Sequence, residues 1–472
     1  MIKKKKAKEN INRIQSLFIG LFVLLIANMI YLAGYKKEEL IISPYNPRLT
    51  TLEEEVIRGK ILGNNYEVLA ETVELEDGIT ERIYPYGRIF SHIIGYTAQG
   101  KSGIESLANF DLIRTGEGII GQIWNEFIGE KNKGNNVVTT LDPLLQEIAF
   151  EGLGNNKGAI VVLEPSTGKI LALVSKPDFN PNEIEFLLAE LNRGNTSETF
   201  LFNRATQGLY PPGSTFKVLT ALHYIMENPD WEEFQYTCSG SDVFYDNTIN
   251  CFNNTAHGIM GIREALAVSC NTTFAQLGTE IDLKDFKRFN ENFMFNNRLP
   301  FPLPNSISKY QLDVNSNLES IPETVMGQGK TEITPLQNAL ITATIANGGI
   351  MMKPYLIDRI EDHNGKVIKK FMPEQHKRII NPNYAFLITE LMAGVVTDGT
   401  GRSLNNLPFT VAGKTGTAEH RKDEKPHSLF IGFAPTDNPK IVVSIVVENA
   451  GTGTQAAVPI ARRLLEAYFE NQ

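Results

Sequence analysis

Tyr210-Pro-Pro-Gly-Ser-Thr-Phe-Lys217 is the stretch from which the rest of this chain can be organised. Pro-Pro-Gly stops whatever precedes it, and an apolar helical pattern begins at once with Phe216, Val218, Leu219, Leu222, Ile225 and Met226. The spacing therefore predicts a helix whose N-terminus carries Ser214, where free backbone N–H groups favour developing negative charge. Lys217 follows one turn later on the same side. An amine in that place can accept the hydroxyl proton if burial and a neighbouring cation lower its basicity. Ser-x-x-Lys alone is common in ordinary sequence. Ser166/Lys169 falls in a predicted hairpin turn and Ser306/Lys309 in a Pro/Asn-rich loop, so both read as incidental.

Two more elements lie downstream. Ser269-Cys270-Asn271 sits 55 residues after Ser214, between the helical runs Ile262–Val268 and Phe274–Leu277. In isolation this pair reads as helix-terminal capping; beside a Ser/Lys pair, its hydroxyl and amide can pass a proton and hold a substrate backbone. Ser403/Asn405 repeats the pattern in a Gly-rich loop and reads as turn chemistry. Next comes Val411-Ala-Gly-Lys-Thr-Gly-Thr-Ala-Glu419, predicted to be a strand. Lys414 offers a cation, Thr415 and Thr417 offer hydroxyls, and Gly416 removes a side chain where a ligand backbone approaches. Such a strand can clamp a carboxylate and accept an extended peptide along its edge. It is not a phosphate loop, because position 408, where that motif needs Gly, is Pro408; Gly329-Lys330-Thr331 fails likewise, with Thr324 there.

Around these motifs, Gly158–Glu164 and Lys169–Ser175 predict one hairpin, and Ser428–Phe433 with Lys440–Val447 predict another. Two β blocks separated by helical sequence predict one antiparallel sheet built from both ends of the domain and covered by helices. Before Gly129–Asn136, a polar Gly/Asn-rich boundary, the pattern is of short strands at Val56–Leu62, Tyr66–Leu75 and Arg82–Tyr86. The 472 residues thus divide into a basic tail (1–13), an apolar segment (14–35), an N-terminal pedestal (36–136) and a larger domain (137–472).

Charge and composition narrow the function. The first 13 residues hold six bases and one acid, which leaves 39 bases against 53 acids in the rest. An acidic body argues against nucleic-acid binding. Ile14–Tyr35 has 22 residues without a charge, long enough at about 1.5 Å per residue to cross a bilayer. Its length and the lack of a small-x-small site favour an uncleaved anchor over a signal peptide, and the lysines before it place the N-terminus in the cytoplasm. Seven histidines without an HExxH or a cluster, and three cysteines without CxxC or zinc-ligand spacing, predict no metal site. Cys238 and Cys251 are an open disulfide hypothesis, and Cys270 reads as buried filler.

The ordered triplet Ser-x-x-Lys, Ser-x-Asn, Lys-Thr-Gly resembles the signature of penicillin-binding proteins and serine β-lactamases. The likeness spans roughly 137–472, with further landmarks at Val162-Leu-Glu-Pro-Ser-Thr-Gly168, Met326-Gly-Gln-Gly329, Ile333-Thr-Pro-Leu-Gln337 and Phe430-Ile-Gly-Phe-Ala-Pro435. Arg58-Gly-Lys-Ile61, Tyr84-Pro85, Ser91-His-Ile-Ile-Gly-Tyr96 and Gly103-Ile-Glu105 resemble the pedestal of class B, the monofunctional transpeptidases. One departure is that Leu62-Gly-Asn-Asn-Tyr-Glu67 replaces that family's Asp-Arg-Asn-Gly-like turn.

The resemblance implies an α+β transpeptidase fold, with a central antiparallel sheet and a helical subdomain on a small mixed pedestal. It implies a D,D-transpeptidase acting on peptidoglycan stem peptides with D-Ala-D-Ala termini, needing no cofactor and acylated by β-lactams. Ser214 is then the nucleophile and Lys217 its base, with Lys414 helping to keep Lys217 neutral. Backbone N–H groups of Ser214 and Thr417 form the oxyanion site. Ser269 and Asn271 relay a proton and orient the donor, while Lys414, Thr415, Gly416 and Thr417 form the carboxylate subsite. A SEDS-type glycan polymerase is the implied partner at the bacterial membrane. A carboxypeptidase or β-lactamase on the same fold, which uses water as acceptor, and a non-catalytic sensor or scaffold are the competing readings.

Overall fold

The structure is a computed structural model that describes residues 2–34, 53, 56–75, 79–98, 100–116, 127, 129–195, 199–419 and 423–471. The first element, α1 (Ile2–Gly34), contains the apolar stretch Asn12–Tyr31, whose 20 residues are exposed along their whole length. At about 1.5 Å per residue that stretch reaches across a hydrocarbon core.

The pedestal contributes β1 (Ile61–Leu62), β2 (Val68–Glu74) and β3 (Thr80–Ile83), and β4 (Asn136–Thr139) follows at its boundary with the larger region. β3 lies earlier than the sequence pattern suggests. Pro85 cannot donate to a ladder, and the chain turns there into a short 3-10 helix at Gly87–Phe90. Two pedestal segments singled out from sequence meet in space, because Arg58 Nε donates to Glu105 Oε2 at 2.7 Å. Arg82 Nε donates to the other oxygen of the fully buried Glu105, also at 2.7 Å.

In the larger domain, α2 (Pro143–Leu153) is followed by β5 (Gly158–Leu163), β6 (Ile170–Lys176) and α3 (Lys217–Glu227). Next come α4 (Ile262–Ala267), α5 (Asn271–Glu280), α6 (Pro335–Ala346), β7 (Ile357–Glu361), β8 (Val367–Lys370) and α7 (Pro382–Thr397). The chain closes with β9 (Ala412–Ala418), β10 (His427–Ala434), β11 (Ile441–Val447) and α8 (Ala457–Glu470). Three of these helices start the same way. Asp142, Thr334 and Asn381 cap their first turns by side-chain acceptance of a backbone N–H, and proline occupies the next position.

Strands β9-β10-β11-β5-β6 form one antiparallel five-stranded sheet, with both predicted hairpins paired as adjacent strands. Strand β5 shows why its sequence is continuously apolar rather than alternating. Ala159, Val161 and Leu163 enter the core shared with α3, α6 and α7, while Ile160 and Val162 enter the core under α2 and α8. A sheet covered on both faces buries every residue of a central strand, each Val or Ile contributing about 1.5–3 kcal/mol. The second sheet runs β8-β7-β4-β1-β2-β3, so two strands from beyond residue 350 extend the pedestal's own strands. β4 is where the two regions join, pairing with β7 on one side and β1 on the other. Strand β9 lies at the edge of its sheet, and its free side faces the cleft described next.

Candidate active site

A cleft of about 940 Å³ opens between β9 and the helical region, lined by Ser214, Ser269, Asn271, Thr415 and Thr417. Ser214 lies in a 3-10 turn, Gly213–Thr215, that runs directly into α3. The turn is anchored from two sides. Gly213 N donates to Gly327 O at 2.8 Å, which places the Met326-Gly-Gln-Gly segment beneath it. Gly213 also has φ +53°, and a Cβ there would lie 2.6 Å from Thr417 O, so only glycine allows the turn to sit against β9.

Gly416 is required for a related reason that differs from the sequence expectation. A Cβ on it would fall 2.9 Å from both Leu429 Cβ and Thr215 Cγ2. Its absence lets the strand pack on the serine turn, whereas the expected reason was room for a ligand. Thr417 C=O accepts from Gln328 Nε2 at 3.3 Å, on the side away from β10. In an antiparallel ladder the N–H and C=O of one residue point the same way, so Thr417 N–H also faces the cleft.

Lys217 and Lys414 are both fully buried, and among the described residues neither has a carboxylate at ion-pair distance. Lys217 Nζ donates to Asn271 Oδ1 at 2.6 Å and Ser269 O at 2.8 Å, with Ser269 Oγ at 3.4 Å. Lys414 Nζ donates to Ser269 Oγ at 2.9 Å and Thr415 O at 3.1 Å. One hydroxyl therefore stands between two amines. Burial lowers Lys217 to about 8, an effect opposed by the nearby thiols of Cys270 and Cys251. Burial and then the charge of Lys217 push Lys414 well below the usual lysine range. Among the described residues Ser214 Oγ has no hydrogen-bond partner, which leaves it available in the half-buried mouth of the cleft.

Local backbone explains how Ser269 reaches this place. After α4, Cys270 N donates to Ala265 O and Ser269 N to Leu266 O, the two hydrogen bonds of a Schellman motif. Its left-handed position is normally glycine, yet here it is Ser269 at φ +61°. Ser269 thus does stand at a helix end, but its side chain caps nothing and turns to the two lysines. Asn271 opens α5, and its Nδ2 donates to Asn250 O at 2.7 Å. The other sequence matches are elsewhere. Lys169 pairs with Asp358 and Lys309 with Glu332, so neither amine serves a serine.

Sequence reasoning missed several cleft residues. Gln328 holds Thr417 C=O, and Thr400 Oγ1 lies 2.6 Å from Thr415 Oγ1. The Met-Gly-Gln-Gly landmark was visible, but not which atom its glutamine reaches. The cysteines require a larger correction. Cys238 and Cys251 are free thiols with Sγ atoms 3.6 Å apart, not a disulfide. Cys251 is nearly as close to the third thiol, with Cys270 Sγ 3.7 Å from it. Cys270 is fully buried, as expected, and with His257 the three thiols form a cluster whose Sγ and ring-nitrogen atoms all lie within 4.8 Å of one another. Intervals of 12, 5 and 12 residues hid this group from a search for short ligand spacings.

An α+β framework, with a serine turn, a hydroxyl between two lysines and an open edge strand around one cleft, defines a serine acyl-transfer class of protein. Residues 158–466 match the penicillin-binding protein transpeptidase domain, and the chain belongs to that family. Residues 58–137 match the penicillin-binding protein A dimerisation domain. The chain is 31% identical to the peptidoglycan D,D-transpeptidase PbpA of Mycolicibacterium smegmatis, over 97% of this chain and 98% of that protein. It is 29% identical to the peptidoglycan D,D-transpeptidase MrdA of Acinetobacter baumannii, over 82% of this chain and 66% of that one. Among solved structures, the imipenem acyl-enzyme complex of penicillin-binding protein A from M. tuberculosis superposes with a TM-score of 0.80 at 31% identity, covering 88% of this chain and 99% of that one.

Proposed function

We propose that this protein is a peptidoglycan D,D-transpeptidase that cross-links stem peptides through a Ser214 acyl-enzyme. The observation that carries the reading is Ser269 Oγ held between Lys217 and Lys414 beside the serine turn. Ser214 Oγ attacks the penultimate D-alanine carbonyl and its proton passes to neutral Lys217. Backbone N–H groups of Ser214 and Thr417 take the oxyanion, the effect that usually dominates acyl transfer. Collapse breaks the peptide bond, and Ser269 relays a proton to the departing D-alanine amine while Asn271 orients the donor. A neighbouring stem's amine then attacks the ester, and Lys217 takes its proton and passes it to Ser214 Oγ as the ester C–O bond breaks. The donor lies along the open edge of β9, with its terminal carboxylate at Lys414, Thr415 and Thr417. That carboxylate restores the charge on Lys414, which further favours the neutral form of Lys217.

β-Lactams acylate the same serine. The basic tail and α1 anchor the chain as a single span with its N-terminus in the cytoplasm and the pedestal (36–136) and catalytic domain (137–472) outside. The chain's partner in glycan polymerisation is a separate membrane protein of the SEDS type, reached through the anchor and pedestal.

The test is incubation of the detergent-solubilised full chain with a fluorescent penicillin, followed by timed intact-mass analysis. A single stable adduct that is absent in Ser214→Ala is the expected result. An adduct lost within seconds would indicate a β-lactamase, and none at all would remove Ser214 as nucleophile.

A further inference from the structure

We propose that a cavity between the pedestal and the larger domain binds the acetamido group of an N-acetylated hexosamine in a glycan strand. The preference for an acetamido group stands on the cavity's own chemistry. That the strand is the protein's own substrate rests on the transpeptidase reading above.

The cavity measures about 120 Å³ and draws on both regions, with His92, Tyr96 and Ser102 from the pedestal and Phe179, Asn203 and Thr206 from the larger domain. Its walls are tied to each other. His92 Nε2 donates to Phe200 O at 2.7 Å, and Tyr84 N donates to Asn182 Oδ1 at 2.9 Å. Within the pedestal wall, Ser102 N donates to Tyr96 O at 3.1 Å. The space is therefore preformed rather than a loose gap.

Its polar groups are unspent. Thr206 is 1% exposed, yet its Oγ1 has no hydrogen-bond partner among the described residues. Buried hydroxyls are rarely left so, which points to a polar atom supplied from outside the chain. Asn203 Oδ1 accepts from Ala205 N at 3.0 Å, and its Nδ2 remains as a donor. Half-buried Gln207 adds a second amide from the end of the one-turn helix Arg204–Gln207.

Charge narrows the ligand. Among the described residues, no acid, lysine or arginine lines the cavity. His92 is neutral there, because burial lowers it to about 4, an effect opposed by its hydrogen bond to Phe200 O. A carboxylate, phosphate or ammonium would lose its water and gain no countercharge. That excludes anionic β-lactams, nucleotides and charged lipid headgroups, and selects a neutral group that both donates and accepts.

Size and shape narrow it further. At about 30 Å³ per water the cavity takes the place of roughly four water molecules, and an acetamido group has four non-hydrogen atoms. A backbone amide continues in both directions and needs a groove, whereas an acetamido group ends in a methyl and suits a small recess. The methyl has an aromatic wall, where Phe179 meets His92 and Tyr96 edge-on with ring centroids 5.3 and 5.8 Å apart. The group's C=O then accepts from Asn203 Nδ2 and its N–H donates to Thr206 Oγ1. Gln207 precedes Ser214 by seven residues, so the two lie at most about 25 Å apart. A strand gripped here keeps its peptide-bearing sugars near the serine.

The experiment applies saturation-transfer NMR to the detergent-solubilised full chain. The probe is a tetramer of N-acetylglucosamine, and cellotetraose, which lacks the acetamido group, is the control. Saturation should be strongest at the acetamido methyl protons, with transfer to cellotetraose at least fivefold weaker. Thr206→Val keeps the side chain's shape and removes the unpaired hydroxyl, so it should weaken tetramer binding about three- to tenfold, the worth of one neutral hydrogen bond, without lowering Tm. Gln207→Ala should weaken it similarly, and the contrast between the two sugars in the wild-type chain holds whether or not a variant folds. Penicillin should acylate Thr206→Val at the wild-type rate, and prior acylation of the wild-type chain should leave tetramer binding unchanged. Equal transfer to both sugars, or transfer to neither, would overturn the proposal. Binding unchanged in both variants would do the same, leaving the cavity to ordered water. Loss of tetramer binding on acylation would place the sugar in the catalytic cleft and overturn it too. Tetramer binding in a chain that forms no penicillin adduct would uphold the cavity site and count against the transpeptidase reading alone.

Discussion

Replacing Ser269 separates its backbone role from its chemistry. At φ +61° its Cβ costs about 1–2 kcal/mol relative to glycine, while glycine loses about 0.5–1 kcal/mol more to chain entropy on folding. Both Ser269→Gly and Ser269→Ala remove the hydroxyl that accepts from Lys414 at 2.9 Å, a hydrogen bond contributing about 0.5–1.5 kcal/mol. Only Ser269→Ala keeps the left-handed strain. The glycine variant should therefore be the more stable of the two by about 0.5–1 kcal/mol. Spread over a catalytic domain of this size, that is a Tm difference of about 1–2 °C, readable by calorimetry on matched preparations. Acylation by a fluorescent penicillin should fall by about 10²–10⁴ in both, the usual loss for a proton-transfer group. A glycine variant less stable than the alanine variant would refute the strain argument. Near-wild-type acylation in either would refute the hydroxyl's role between the lysines.

Other consequences are open to measurement. Because burial lowers Lys217 to about 8 and the base must be neutral, acylation should rise with pH and level off above about 8. A rate that stays flat from pH 6 to 9 would argue against Lys217 as the base. Gln328→Ala removes the hydrogen bond to Thr417 C=O, so it should slow acylation about tenfold with little change in Tm, as stopped-flow fluorescence and calorimetry would show. Burial opposes ionisation of Glu105, but the guanidiniums of Arg82 and Arg58 hold its carboxyl below the usual range. Glu105→Ala would leave two arginines unpaired and cost about 3–5 kcal/mol, detectable as faster limited proteolysis of the pedestal; unchanged cleavage would argue against that.

The sequence by itself determined the chemistry on offer and the class of fold. Ser-x-x-Lys, Ser-x-Asn and Lys-Thr-Gly are legible because each is a short run whose spacing is tied to one turn, one helix boundary or one strand. The two hairpins and the apolar N-terminal helix are legible because local periodicity and length specify them. Tertiary structure decided what depends on distant segments meeting. Arg58 with Glu105, Gln328 with Thr417, and β7 and β8 joined to the pedestal strands are pairings that no local pattern encodes. Gly416 was recognised as necessary, but its reason, close packing on Thr215 and Leu429, exists only in the folded chain. The same is true of Cys238, Cys251, His257 and Cys270. Side chains carried on separate strands and turns converge only when the surrounding backbone is folded, so their linear spacing conveys nothing about the distance between their atoms.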